Sequence, residues 1–368
     1  MKHAHALGDH GDEGILFFGG YDPDYPRNAV IRKGLKRCGF PVSECRVDAR
    51  LKVLLRYPAL LWRWIRAERP GRIVFVPDFR HKDVPLAWAL ARVTGRTVVF
   101  DPLVSRYETR VLDRGDVAAG TIQSWHNRNL DALSLKLADL VITDTASHAR
   151  FYAEEFGVPL EKMKVLPVGF DEDIFRESSL TDDRSHTMIL FYGTYLPLHG
   201  VETIVAAAGL LSKAAVRFML VGEGQTYGAV KDVAAALPDD LLAFHPAVSS
   251  RDIARLLAEA DIVLGIFGTT PKAAMVVPNK VFQALAVGRP VVTADTPAIR
   301  ELFTPGAHLL TVPAGDPRAL ADAIELLIAD GATRRRLARD GGAFVRAQFN
   351  SRRIAERFLT MLREGGMR

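Results

Sequence analysis

The sequence predicts an α/β protein of two doubly wound, Rossmann-like parallel-sheet domains that face a central cleft. Three observations carry this. The 368 residues suit two domains, at roughly 100–200 residues each. Short apolar runs alternate with segments of helical period, the pattern of a parallel sheet covered by helices. The alternation stops once, at 171–186, in a stretch rich in Asp, Glu, Ser and Thr, and then restarts.

In the first half the runs are 15–18 before Gly19-Gly20, 73–76 before Pro77-Asp78, 97–100 before Asp101-Pro102, 140–143 before Asp144, and 164–167 before Val168-Gly169. Apolar at successive positions, they read as strands buried on both faces. Residues 84–93 and 129–138 read as helices between them. In the second half the runs are 188–192, 217–221, 242–244, 262–266, 290–293 and 309–312, followed by helices to the end. The expected domains are 1–175 and 188–349, with a linker at 176–187 and a last helix at 350–368 that packs back toward the first domain. In such sheets ligands bind beyond the carboxyl ends of the strands, so the active site is expected between the domains.

At 48% apolar and 25% charged, with 29 Gly and 20 Pro, the chain is neither disordered nor collagen-like. Cys38 and Cys45 are too few for a disulfide framework or a Cys-rich metal site and read as reduced thiols. No long apolar run marks a membrane span, and the first residues lack the pattern of a signal peptide. A cytoplasmic protein is expected. His3, His5 and His10 lie in a terminal stretch, and no His/Cys/Asp set has metal-ligand spacing, so no metal is expected. The formal net charge is +5, but residues 27–72 hold 13 Lys and Arg against Glu44, Asp48 and Glu68. This basic stretch suits an anionic membrane surface or an anionic substrate. No base-reading module points to nucleic acid.

Gly19-Gly20 lacks the third glycine of a dinucleotide fingerprint, and no P-loop is present, which argues against a dehydrogenase and an ATPase. The glycine pair would still let backbone approach a ligand phosphate. The most informative stretch is 267–290, read as strand end, long loop, then a helix starting near Asn279 after Pro278. The amides of Asn279, Lys280 and Val281 at a helix start make an anion site. Lys280 and Lys272 add charge, and Gln283 is placed to hydrogen-bond ribose hydroxyls. A nucleotide-diphosphate sugar fits this arrangement.

Here the sequence resembles a known family. Residues 283–292, QALAVGRPVV, are similar to the E-A-x-A-x-G-x-P-V-V segment of family 4 glycosyltransferases, which have the GT-B fold. Residues 193–201, GTYLPLHGV, resemble the family's G-R-x-x-x-x-K-G loop, and 167–175, PVGFDEDIF, its P-x-G-x-D-x-x-x-F segment. Residues 220–224 resemble x-x-G-x-G, and Val248 sits where the base-binding loop falls. The resemblance covers 166–349 well. It implies a metal-independent transferase with no cofactor beyond its donor substrate, acting with retention. The donor would bind the second domain through Gly193, Thr194, His199, Glu223, Val248, Lys272, Pro278, Asn279, Lys280, Val281 and Gln283, with Gly19 and Gly20 across the cleft.

The departures are specific. Met275 and Gln283 stand where the family has a Glu pair, and Thr194 and His199 where it has Arg and Lys. Lysines at 272 and 280 would then replace the loop cations on the other side of the diphosphate. In the first half, Asp101 at a strand end is the acid–base candidate beside Lys280, with Arg27, Asn28, Asp78, Ser105 and Tyr107 on the acceptor side. Residues 50–66 mix Arg and Lys with Trp62, Trp64 and leucines, with Pro58 starting a second helix or kinking one. That suits a membrane interface and a lipid-linked or glycan acceptor. Two other readings stay open: a non-catalytic nucleotide-sugar-binding subunit, and a nucleotide-sugar epimerase of the same fold.

Overall fold

Two six-stranded, wholly parallel sheets organise the protein. The computed structural model describes residues 14–66, 71–179, 186–211, 215–238 and 240–367; the three N-terminal histidines, Glu68, Arg69 and residues 180–185 of the expected linker lie outside these. The first sheet holds β1 (Ile15–Gly19), β2 (Val42–Arg46), β3 (Ile73–Val76), β4 (Thr97–Phe100), β5 (Leu140–Thr143) and β6 (Met163–Val165), in the order β2-β1-β3-β4-β5-β6. The second holds β7 (Thr187–Tyr192), β8 (Val216–Val221), β9 (Leu242–His245), β10 (Ile262–Leu264), β11 (Val291–Ala294) and β12 (Leu310–Val312), in the order β12-β11-β10-β7-β8-β9. Strand order reverses between β1 and β3 in one sheet and between β7 and β10 in the other. Those reversals open the crevices where ligands settle.

β1, β3 and β5 are buried along their whole length, as their unbroken apolar runs require. β2 was not expected. Its sequence, VSECR, is polar and only partly buried at the sheet edge, so it lacks the continuous apolar signal. β10 stops at Leu264, two residues short of the expected run. Gly265 instead passes so close to Thr293 that a Cβ would lie 2.3 Å from its Oγ1. The expected helix at 129–138 begins earlier, at Ile122, with Thr121 as its cap. Residues Val53–Arg66 form one helix with Pro58 inside it, not two.

The last helix, Ser351–Glu364, crosses back onto the first domain and lies on the helix Pro26–Arg37. A Cβ on Gly34 would come 1.9 Å from the Ser351 carbonyl oxygen, so only glycine permits this approach. Phe358 meets Phe75 of β3 edge-on, at 5.3 Å between centroids. Other contacts also bridge the domains. The Glu301 carboxylate accepts from the amides of Ala146 (2.6 Å) and Ser147 (2.8 Å), capping the helix Ala146–Phe156. Thr270 Oγ1 donates to Asp113 (2.8 Å). Among the described residues no helix is long and apolar enough to cross a membrane.

Candidate active site

The helix Asn279–Val287 starts at Pro278, which has no N–H to satisfy and suits that position. Its first turn faces the end of β7. There Lys280 is buried, with Nζ 4.0 Å from the Phe191 ring centroid and no hydrogen-bond partner. Burial holds its ammonium well below the usual lysine pKa range. Gly193, at φ +150°, makes room: a Cβ there would lie 3.0 Å from Lys280 Nζ and 3.2 Å from His199 Cε1. His199 is kept neutral by its burial and by Lys280, and its Nδ1 meets the Thr194 carbonyl. Asn279 Oδ1 is also buried without a partner. The amide of Val281 donates to the Pro278 carbonyl (3.0 Å), and that residue is buried behind the helix start.

These groups line a cavity of about 640 Å³ between the domains. Gly193, Thr194, His199, Val248, Lys272, Pro278, Asn279, Lys280 and Gln283 reach it from the second domain, and Ser105 from the first. Gln283 Oε1 accepts from Tyr192 OH at 2.7 Å. Lys272 Nζ donates across the cleft to Thr109 Oγ1 at 2.6 Å.

Several candidates sit elsewhere. Asp101 is buried and does not line the cavity; Arg27 Nε pairs with one oxygen, and the Leu103 amide donates to the other at 3.3 Å. Arg27 also donates to the Leu166 carbonyl (3.0 Å), so this pair ties a helix, β4 and the interdomain segment together. It is scaffold, not an acid–base group. Asn28 Nδ2 donates to the Asp22 carbonyl at 2.7 Å. The Gly20 amide donates to Asp83 (2.9 Å), and a Cβ on Gly19 would lie 2.9 Å from the same carboxylate. The glycine pair therefore approaches a protein carboxylate instead of a phosphate. Asp78 is sealed under the cavity, its carboxyl pushed up to about 7 by burial and by Asp101. The Tyr107 amide and Ser105 Oγ both donate to Asp131, at 2.8 and 2.6 Å. Glu223 lies exposed beyond β8.

Three cationic cavity residues were missed. Arg106, Arg110 and Arg114 recur every fourth residue before, within and after the π-helical turn Glu108–Asp113 and line the cavity from the first domain. Their spacing was the available signal. Nε of Arg106 and of Arg114 is buried without a partner. Below them His148 bridges Asp144 (Nδ1, 2.8 Å) and Glu108 (Nε2, 3.1 Å). Burial opposes its charge, but the two carboxylates win and raise it to about 10. Among the described residues no group of three or more His, Cys, Asp or Glu side chains is placed to hold a metal.

Residues 186–330 match the family profile "Glycosyl transferases group 1", and residues 1–169 match "Glycosyl transferase 4-like domain". The chain belongs to the family 4-type glycosyltransferases of GT-B fold. The chain is 27% identical over 223 residues to the D-inositol 3-phosphate glycosyltransferase of Xylanimonas cellulosilytica, covering 55% of this chain and 51% of that one. It thus spans about half the length of the curated relatives it matches. The sucrose-phosphate synthase from Thermosynechococcus elongatus superposes with a TM-score of 0.73 at 18% identity, over 95% of this chain and 98% of that one. Anabaena HepE in complex with UDP gives 0.69 at 18% identity, over 95% and 100%.

Proposed function

We propose that this chain moves a sugar from a nucleotide-diphosphate donor to an acceptor hydroxyl, with retention and without a metal ion. The acceptor is lipid-linked or a glycan, met at the cytoplasmic face of a membrane. One observation carries the donor reading: a buried Lys280 amine without a hydrogen-bond partner lines the cavity together with three arginines of the other domain. Buried polar groups without a partner are costly unless a ligand completes them, and a bound diphosphate would favour the charged form of Lys280. As the bond from sugar to diphosphate breaks, negative charge grows on the leaving oxygens. Lys280 and the three arginines would stabilise it, doing the work that Arg and Lys do in the loop now occupied by Thr194 and His199. Closure of the cleft would exclude water and suppress donor hydrolysis. Retention rests on the family resemblance alone. UDP is the first nucleotide to test, because HepE holds it.

Calorimetry with UDP, GDP and ADP, followed by donor turnover, tests the reading. Lys280→Ala should weaken nucleoside-diphosphate binding about ten- to a hundredfold and leave nucleoside binding unchanged. Equal small effects on both would remove Lys280 from the diphosphate site. The non-catalytic reading is motivated by Met275 and Gln283. Tight binding with no sugar release under any acceptor would favour it. A new sugar nucleotide formed from donor alone would favour the epimerase.

A further inference from the structure

Fourteen large apolar side chains are exposed among the described residues, and nine of them lie on three helices, Val53–Arg66, Val84–Thr94 and Ile122–Leu137. The inner sides of these helices share one core cluster: Leu60, Trp64, Ala87, Ala91 and Leu135 pack together with Phe18, Val76 and Phe100 of the first sheet. They form one layer on one face of that sheet, so their outer sides point the same way.

The helix Val53–Arg66 is the most unusual. Arg56, Leu60 and Trp64 face inward at four-residue spacing. A surface helix should be polar on the opposite side. Here that side carries Leu54 (87% exposed), Leu55, Leu61, Trp62 and Ile65 (74% exposed). Pro58 is exposed among them. The next two helices add single exposed apolar side chains, Val93 on one and Ile122, Trp125 and Leu133 on the other. Cations flank it. Arg66 stacks on Trp62 at 4.0 Å, and Lys52, Arg63 and Arg66 form no ion pair among the described residues. Surface arginines elsewhere, such as Arg255, Arg318 and Arg353, are paired with Asp252, Asp322 and Glu356.

We propose that the outer side of this three-helix layer docks the protein onto an anionic lipid bilayer. Leucines, Ile65 and the two exposed indoles enter the boundary between headgroups and acyl chains. Lys52, Arg63 and Arg66 meet lipid phosphates. Charge complementarity favours this occupant over a second copy of the chain, which would bring the same unpaired cations face to face. Trp64 takes no part, because it is buried against Phe18 in an edge-on contact at 5.9 Å. The inference gives the transferase reading a defined surface and rests on it only for its purpose, the meeting with a membrane-borne acceptor.

The test is co-sedimentation with vesicles of phosphatidylglycerol and phosphatidylcholine, or of phosphatidylcholine alone, at low and high salt, with UDP affinity measured in parallel. Binding should be at least about tenfold stronger to the anionic vesicles at low salt, and high salt should leave an apolar remainder. Leu54→Ser with Ile65→Ser should cut partitioning at least about tenfold and leave UDP affinity unchanged. Trp125→Ser, on a different helix, should cut it a few-fold. No pelleting with anionic vesicles overturns the proposal, and so does equal pelleting of the double variant. A dimer that the double variant dissociates would also overturn it, by assigning the face to a second copy. Loss of UDP binding in a protein that still pellets would break the transferase reading alone.

Discussion

The two sheets present their strand ends to one cleft and differ in how many of the buried charges there are paired. At the first sheet, three of the four strand-end carboxylates, Asp83, Asp101 and Asp144, are matched to Arg56, Arg27 and His148, while Asp78 Oδ1 is left without a hydrogen bond. At the second, Lys280 Nζ and Asn279 Oδ1 have no partner though both are buried. A matched buried charge holds a fold together. An unmatched one costs stability and persists where a ligand completes it. The difference marks the helix start at Asn279 as the place where a bound ligand would complete buried polar groups.

If the first set is scaffold, breaking it should unfold the protein without altering the site. Arg27→Ala leaves Asp101 buried and unpaired, and should cost about 3–5 kcal/mol of stability. The fraction that stays folded should bind nucleotide as the wild type does; denaturant unfolding and calorimetry together check this. His148 adds a pH dependence of known sign. Its pKa lies at about 10 in the fold, above the ordinary 6.5. Its stabilisation is therefore complete below about pH 6.5 and is lost as pH rises through about 10. The melting temperature of wild type relative to His148→Gln should shrink across that window. A constant difference would mean that the imidazole is not held as a cation.

Lys280 should behave in the reverse sense. Lys280→Met replaces a buried, unpartnered amine with an apolar chain of similar length, beside the Phe191 ring. Without ligand the variant should be more stable by about 1–3 kcal/mol. A destabilised variant would place Lys280 among the scaffold charges and erase the contrast between the two sheets.

The sequence was most informative where local chemistry decides structure. β1, β3, β4 and β5 follow from uninterrupted apolar runs, and the helix start at Asn279 from Pro278 and the lysine beside it. β2 was illegible because an edge strand need not be apolar. Asp101 looked catalytic because a strand-end carboxylate in this fold faces a cleft, and no local pattern reveals that Arg27, 74 residues earlier, takes it. The arginines at 106, 110 and 114 escaped because a π-helical turn has no strong sequence signature. Of these cases only Asp101 was decided by a distant contact; the other two turned on an edge position and a local turn type.

Gln283 stands between the two classes and gives the finest test. It lines the cavity, yet its Oε1 already accepts from Tyr192 OH. Gln283→Glu keeps an acceptor for that hydroxyl and should bind nucleotide normally. Gln283→Leu leaves the buried hydroxyl unpaired and should lose about 1–3 kcal/mol. Where the loss appears is the informative part. Reduced stability with normal nucleotide affinity would make Gln283 scaffold, like Asp101. Reduced affinity would make it a ligand for the ribose, as the family resemblance implies and as we expect. Tyr192→Phe separates the two contributions with the smallest perturbation. It removes only the donor to Gln283, in a tyrosine that burial keeps protonated. Stability should fall by about 0.5–1.5 kcal/mol, and nucleotide affinity should change less than about threefold, because the amide remains free to meet the ribose. A larger loss of affinity would show that Tyr192 must orient the amide before the nucleotide binds, and the matched and unmatched groups would then act as one network.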